Sequence, residues 1–297
     1  MIKTRILIFG ATGMLGHKIV QLLSRRKYLE LYGVNKNLKK RKLLEKNFNI
    51  KFIEQKDKIS KKNLFIFFNK NSFDYVINCL GIIKQKDKKF SKKEIVLINS
   101  RFPQIIDELS SHHKFKFIHF STDCVFTGKK GNYSEKDFRD AKDLYGISKK
   151  NGEDLKKNNT LILRTSFIGH ELFDNKSLLS WFLKTKQKNI QGYSKAFFSG
   201  LTNLEISKFI YSIIVKKNFY PGIFNLSGSK ISKYELLKII NTKYKLNKNI
   251  NKDEAVKIDR SLLNKKIIKK FKFKNKSWNK LIDQMKNDFD IYKKNLY

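Results

Sequence analysis

Tyr145 and Lys149, in the stretch Leu144-Tyr-Gly-Ile-Ser-Lys149, are the residues of this chain best suited by type and spacing to do chemistry. Residues four apart lie on one face of a helix, so the phenol and the ammonium point at a common spot. A free tyrosine has a pKa of about 10 and yields a proton poorly at neutral pH. A neighbouring cation favours the phenolate and lowers that value; a tenfold gain in acidity is worth roughly 1.4 kcal/mol. Upstream, Phe120-Ser-Thr-Asp-Cys-Val-Phe126 offers the hydroxyl of Thr122, which could hold a substrate oxygen while Tyr145 exchanges a proton with it. This is general acid–base chemistry on an alcohol or a carbonyl. The spacing alone does not decide the matter, because Tyr32 with Lys36, Tyr234 with Lys238 and Tyr244 with Lys248 share it.

Such a pair needs a scaffold, and the N-terminus supplies its opening. Arg5-Ile-Leu-Ile-Phe9 reads as a short buried strand, and Gly10-Ala-Thr-Gly13-Met-Leu-Gly16 follows at once. Leu15, Ile19, Leu22 and Leu23 then fall on one helical face. Strand, glycine turn and helix together form a dinucleotide-binding opening. Gly10 permits the tight turn, Gly13 lets backbone N–H groups approach a pyrophosphate, and Gly16 allows close helix–strand packing. The helix dipole favours the anion. The spacing is G-x-x-G-x-x-G rather than G-x-G-x-x-G, so the context carries the reading.

Apolar stretches alternate with helix-like ones through the first half. Strands are expected at Arg5–Phe9, Leu29–Val34, Ile50–Ile53, Tyr75–Cys79, Phe115–Phe120 and Leu161–Arg164. Helices are expected between them, notably Met14–Lys27, Lys92–Ser111 and Leu144–Lys157. This predicts an α/β fold of the Rossmann type, a doubly wound parallel sheet covered on both faces. Gly81, Ser121 and Thr165 would then lie on one rim, at the carboxyl ends of strands where open α/β sheets bind ligands. After about residue 166 the rhythm changes to helix-like segments (Leu178–Lys188, Asn203–Lys216, Lys233–Lys243, Trp278–Asp288) around one clear strand, Gly222–Leu226. We therefore expect a dinucleotide domain over 1–166 and a smaller, mostly helical substrate lobe over 167–297, with segments of the two free to interleave.

Composition narrows the class. No apolar run approaches the 18 residues of a membrane span, and Ile6–Phe9 is too short for a signal peptide. Cys79 and Cys124 are the only cysteines, too few for a disulfide framework, so the expectation is a cytoplasmic protein without membrane attachment. They lack the spacing of any metal site, and His170-Glu171 is isolated, so no metal is expected. A net charge of +39 raises nucleic acid as a partner. Only eight of the 65 basic residues are Arg, and the Lys residues run along the whole chain, which points to coding bias rather than a dedicated nucleic-acid face. Lys36–Lys62 and the acid-free Lys265–Lys280 are the locally basic segments.

Together, Gly10/Gly13/Gly16, Ser121-Thr122-Asp123 and Tyr145/Lys149 make the chain resemble an extended short-chain dehydrogenase/reductase. Within that superfamily it looks like the dTDP-4-dehydrorhamnose reductase group of nucleotide-sugar reductases. The resemblance runs nearly end to end, through Ser121–Gly128, Tyr133, Glu135, Leu144–Lys149, Gly152-Glu153, Leu163-Arg164-Thr165 and Asp259-Arg260-Ser-Leu. It implies a catalytic Thr122, Tyr145 and Lys149, with Lys149 also holding the nicotinamide ribose. It implies cofactor contacts from Gly10, Thr12, Gly13, Met14, Leu15, Gly16, Asn35, Lys36, Cys79, Leu80 and Gly81, alongside Tyr145 and Lys149. Asn99 matches a position that supports the lysine through a water, although a helix-surface asparagine is an equal reading. Substrate contacts are implied for Thr122, Asp123, Cys124 and Tyr145. Trp181, Phe182, Phe197, Phe198, Thr202 and Asn203 fall where the family builds its sugar-nucleotide pocket, yet aromatics there also serve as core. A homodimer is common in the superfamily.

Cofactor choice and reaction follow from particular residues. Gly33-Val-Asn35-Lys36-Asn37-Leu-Lys-Lys-Arg41 has no acid to take a ribose 2′-hydroxyl, and Lys36 or Arg41 could meet a 2′-phosphate, so NADPH is expected over NADH. The implied reaction is reduction of the 4-keto group of a nucleoside-diphosphate 4-keto-6-deoxy sugar, for surface polysaccharide synthesis. Dehydration would need an Asp-Glu pair after the threonine, and here Cys124 follows Asp123. The family commonly carries Tyr at that position, so the sugar specificity is open: a dTDP-linked rhamnose precursor or a UDP-linked N-acetylated 6-deoxy hexose. Epimerisation uses the same Tyr and Lys, and a non-catalytic regulatory subunit like that of methionine adenosyltransferase shares the fold.

Overall fold

The computed structural model describes residues 3–35, 37–54, 59–83, 89–156, 158–173 and 177–296. Six strands run in chain order: β1 (Thr4–Phe9), β2 (Leu29–Val34), β3 (Ile50–Phe52), β4 (Tyr75–Asn78), β5 (Lys116–Thr122) and β6 (Thr160–Thr165). With the later strand Gly222–Asn225 they form one sheet, ordered edge strand, β6, β5, β4, β1, β2, β3. Every pairing is parallel. This is the doubly wound order, with its switch point where β1 lies between β2 and β4. The strands are apolar because both faces are covered. Ile6, Ile8, Ile77, Ile118, Leu161 and Leu163 enter one core, and Leu7, Phe9, Val76 and Phe117 the other.

The helices are α1 (Gly16–Leu23), α2 (Leu38–Asn47) and α3 (Lys61–Lys70), followed by a run after β4. There α4 (Lys92–Val96) passes through one π turn (Leu97–Arg101) into α5 (Phe102–His112). Pro103 has no N–H to give the carbonyl of Asn99, which favours the wider turn. Next comes α6 (Leu144–Asn151), capped by Asp143, whose side chain accepts from the Gly146 N–H at 2.9 Å. It is shorter than the Leu144–Lys157 expected, since the chain turns away at Gly152.

The second half holds α7 (Leu178–Lys184), α8 (Asn203–Val215), α9 (Lys233–Lys243), α10 (Lys265–Phe271) and α11 (Trp278–Leu296). Two findings differ from the sequence expectation. The strand Gly222–Asn225 does not stand within the second lobe but pairs with β6 at the sheet edge. Three small sheets also join the helices. One has Ala196–Phe198 between Ile231–Ser232 and Ile258–Asp259. The others pair Phe167–Ile168 with Leu201–Thr202, and Asn189–Tyr193 with Asn249–Asp253. Strands of two or three residues leave no periodicity to read. No helix among the described residues is long and apolar enough to cross a membrane.

Candidate active site

The glycine turn has the geometry the spacing predicts. Gly10 has φ of +76°, and a Cβ there would stand 2.9 Å from the Cys79 carbonyl carbon. A Cβ on Gly16 would stand 2.1 Å from the Gly10 oxygen, so only glycine lets α1 start this close to β1. Above Gly13 the space is nearly clear, its nearest neighbour being the Gly10 oxygen at 3.3 Å. No side chain caps α1, although the His17 and Lys18 N–H groups already donate to the Gly13 and Leu15 carbonyls; its positive dipole end still favours an anion. The turn is braced from two sides. Asn35 donates to the Thr12 hydroxyl at 2.6 Å, and Asn203 donates to the Met14 carbonyl at 3.0 Å. Leu15 is buried and faces the core. These residues fit a dinucleotide.

At the end of β2, among the described residues, no carboxylate stands where a ribose 2′-hydroxyl would be taken; Asn35 follows Val34. Lys36 lies outside the described residues. Arg41 turns away toward the end of β3, donating to the Phe52 carbonyl at 3.5 Å and pairing with Glu54 at 3.8 Å.

On the same rim, β4 ends in Asn78, whose side chain accepts from the Leu80 N–H at 3.0 Å and meets His119 at 3.1 Å. This shapes the Cys79-Leu80-Gly81 loop. Asn99, in the π turn, is fully buried rather than a surface residue. It bonds both the N–H and the carbonyl of Ile82 at 3.0 Å and donates to the Ser148 hydroxyl at 3.1 Å. Asn99 therefore staples the rim loop to the helix that carries Tyr145.

β5 ends in Thr122, whose hydroxyl accepts from the Cys124 N–H at 3.1 Å and starts a single turn, Asp123–Val125. α6 packs directly on that turn, because a Cβ on Gly146 would stand 2.4 Å from the Cys124 carbonyl oxygen. The close approach sets Tyr145 beside Thr122, whose hydroxyl acts on the phenol. Lys149, buried, donates to the Phe120 carbonyl at 2.6 Å.

The electrostatics depart from the spacing argument. Tyr145 is pushed above its ordinary range, first by burial and then by the Cys124 thiol, and only the Thr122 hydroxyl pulls it back. Lys149 is brought down to about 8 by burial, against the pull of Glu153. Desolvation thus outweighs the expected acidification of the phenol. Burial also raises both thiols, that of Cys124 to about 12, so neither is a thiolate. Asp123 is buried and its carboxyl raised, with Arg260 and Lys233 acting against that shift.

Beneath the site, Glu153 pairs with the buried Arg164 at 2.7 Å and with Arg139 at 3.2 Å, and accepts from the Ser121 hydroxyl. This group pins the end of α6 to β5 and β6. The residues placed in the sugar pocket by resemblance take several roles. Phe182 and Phe198 are buried, Trp181 is exposed, and Thr202 caps α8. His112 and His113 pack on Phe65 at the end of α5. His170 stacks on Phe289 with centroids 3.6 Å apart, and its Nε2 meets the Tyr244 hydroxyl at 2.8 Å. Among the described residues no group of three side chains could hold a metal ion. Sequence reasoning gave no role to Lys233, which faces the Asp123 turn from more than a hundred residues downstream; only the topology reveals that meeting.

Over residues 4–291 the chain matches the family model described as the RmlD substrate binding domain. The chain belongs to that family. It is 25% identical over 233 residues to the dTDP-4-dehydrorhamnose reductase of Aggregatibacter actinomycetemcomitans, covering 75% of this chain and 73% of that one. Its fold superposes on the dTDP-4-dehydrorhamnose reductase of Bacillus anthracis, solved in complex with NADP, with a TM-score of 0.76 and 19% identity over 96% of this chain and 99% of that one. The dTDP-glucose 4,6-dehydratase of the same organism, solved with NAD, also gives 0.76, at 16% identity over 98% of each. The fold alone therefore does not separate reductase from dehydratase, and the separation falls to the residues around Thr122.

Proposed function

We propose that this chain reduces the 4-keto group of a nucleoside-diphosphate 4-keto-6-deoxy sugar, with NADPH preferred over NADH. The observation that carries the reading is the packing of α6 on the turn after Thr122, which sets Tyr145 beside that threonine and buries Lys149 against the Phe120 carbonyl, on the rim that also bears the glycine turn. Residues 1–166 would hold the dinucleotide at Gly10, Thr12, Gly13, Met14 and Gly16, and the lobe built from 167–297 the sugar nucleotide. When bound, the dinucleotide would supply a hydride to the carbonyl carbon. Thr122 holds the carbonyl oxygen, and Tyr145 gives its proton to the alkoxide that forms there. A phenol raised above its ordinary range stays protonated at neutral pH, which suits donation to a reduced carbonyl. Lys149, one helical turn on, ties α6 to β5 through the Phe120 carbonyl. Dehydration is disfavoured, since Cys124 stands where a second carboxyl would be needed and its thiol is held protonated.

The test is loss of NADPH absorbance with a panel of dTDP- and UDP-linked 4-keto-6-deoxy sugars. Turnover of at least one supports the reading. Tight dinucleotide binding without any turnover would shift it to a regulatory protein. With the best substrate, kcat/KM should be higher with NADPH than with NADH; the reverse order would show that no basic group near the end of β2 meets a 2′-phosphate.

A pH dependence follows from Lys149. Its ammonium is present below about 8 and lost above. We expect kcat/KM, which reports the free enzyme, to fall with one proton above about pH 8. Lys149→Arg should move that limb upward, because a guanidinium stays charged. An unchanged limb in the variant would assign it to another group.

A further inference from the structure

The second lobe reaches into the glycine turn with one buried side chain. Asn203, 1% exposed at the start of α8, donates through Nδ2 to the Met14 carbonyl at 3.0 Å, 189 residues upstream. The same nitrogen donates to the His170 carbonyl at 3.4 Å. These two carbonyls fix the amide's orientation, because only its NH2 end can face them. Its Oδ1 is then buried without a partner among the described residues. An unfilled buried acceptor is unfavourable, and an apolar side chain of the same size would avoid it.

The chain makes room for this amide. Phe167–Ile168 pairs in parallel with Leu201–Thr202, with Ile168 opposite Thr202, so Gly169 comes next to Asn203. A Cβ on Gly169 would stand 2.1 Å from the Asn203 Cγ and 2.3 Å from its Nδ2. Gly169 has no positive φ that would call for glycine on backbone grounds. What excludes a side chain there is the Asn203 amide. The consequence falls on the turn before α1. In a trans peptide the carbonyl of one residue and the N–H of the next point in opposite directions. Holding the Met14 carbonyl toward α8 therefore turns the Leu15 N–H to the far side of that peptide. The Leu15 N–H donates to no group among the described residues, whereas those of His17 and Lys18 are taken by the Gly13 and Leu15 carbonyls.

We propose that Asn203 is a positioning residue for the dinucleotide: by fixing the Met14–Leu15 peptide from the second lobe, it presents the Leu15 N–H to the cofactor's diphosphate. Gly169 is the space that lets the amide in. The proposal rests on the reading of the glycine turn as the dinucleotide site. The contacts of Asn203 belong to that turn rather than to a sugar pocket. The lobe built from 167–297 then contributes to cofactor affinity, although neither Gly169 nor Asn203 lies in the turn.

The experiment is calorimetric titration of NADP+ into wild type, Asn203→Ala, Gly169→Ala and the double variant, with thermal unfolding of each in the absence of cofactor. Asn203→Ala should raise the Kd about tenfold, the scale of one lost hydrogen bond. Gly169→Ala should do the same by displacing the amide. The double variant should bind no worse than either single one, since the nearest atoms that the new Cβ would meet are gone. A packing role alone would lower the unfolding midpoints and leave each Kd within about twofold, which would overturn the proposal. Kd effects that multiply in the double variant would overturn it too. Hydrogen exchange on the wild type serves if a variant does not fold. NADP+ should slow exchange at the start of α8 as well as in the glycine turn, and protection confined to the turn would refute the coupling. A wild type that binds neither NADP+ nor NAD+ would overturn the dinucleotide reading along with it.

Discussion

Tyr145→Phe should leave the dinucleotide bound and lower kcat by about 10²–10⁴-fold, the usual contribution of a positioned proton donor. The ring remains, so α6 keeps its packing on the Asp123 turn, and only the hydroxyl beside Thr122 is lost. On the proposed reduction the proton is given as the alkoxide forms, so kcat and kcat/KM should fall together, with KM little changed. Titration of NADPH by its fluorescence should give the wild-type affinity. Thr122→Val should cost less, since Tyr145 still donates to an oxygen that is merely less well held. A Tyr145→Phe protein with more than a tenth of wild-type turnover would remove the phenol from the chemistry altogether.

The second large effect concerns the fold beneath the site. Glu153→Ala strands the Arg164 guanidinium, whose side chain is 2% exposed, and leaves the Ser121 hydroxyl without its acceptor. Removing one partner of a buried pair costs about 3–5 kcal/mol, because the other charge is left uncompensated. Asp154→Ala is the natural control. Its carboxylate pairs with Arg139 at 2.8 Å but is 54% exposed, and such pairs contribute at most about 1 kcal/mol. Denaturant unfolding should therefore separate the two neighbours by a wide margin. Replacing Glu153 and Arg164 together by leucine should recover much of the loss. Equal midpoints for Glu153→Ala and Asp154→Ala would contradict the buried geometry.

How much of this was legible in the chain depends on the range of each interaction. The first six strands were readable within a residue or two, since a buried parallel strand is a dense apolar run bounded by turns. The glycine turn was readable because the positive φ of Gly10 and the contact of Gly16 with the Gly10 oxygen are local, although Gly10 is also pressed by Cys79 on another strand. The Tyr145–Lys149 spacing was right about the helix and wrong about the acidity. Helical period fixes which way side chains point, but burial depends on what the rest of the chain lays over them, and here burial raised the phenol. Asn99 could not be assigned from its helix alone, because its partners are Ile82 and Ser148 on other elements. The short strands around Phe198, and with them the placement of Lys233, were invisible for the same reason: two-residue strands exist only through their neighbours.

The edge strand sets a clock on biosynthesis. β6 emerges with one side of its ladder open, and its partner Gly222–Asn225 follows only after residues 166–221 have been made. At translation rates of about 5–20 residues per second, that interval lasts roughly 3–11 s. During it Leu161, Ile162 and Leu163 present an apolar, unpaired border of the kind that recruits other chains. A messenger with slow codons in that window should yield more aggregate from the same polypeptide, whereas slow codons after residue 225 should not. The seal on the sheet built by the first half of the chain is delivered by the second half.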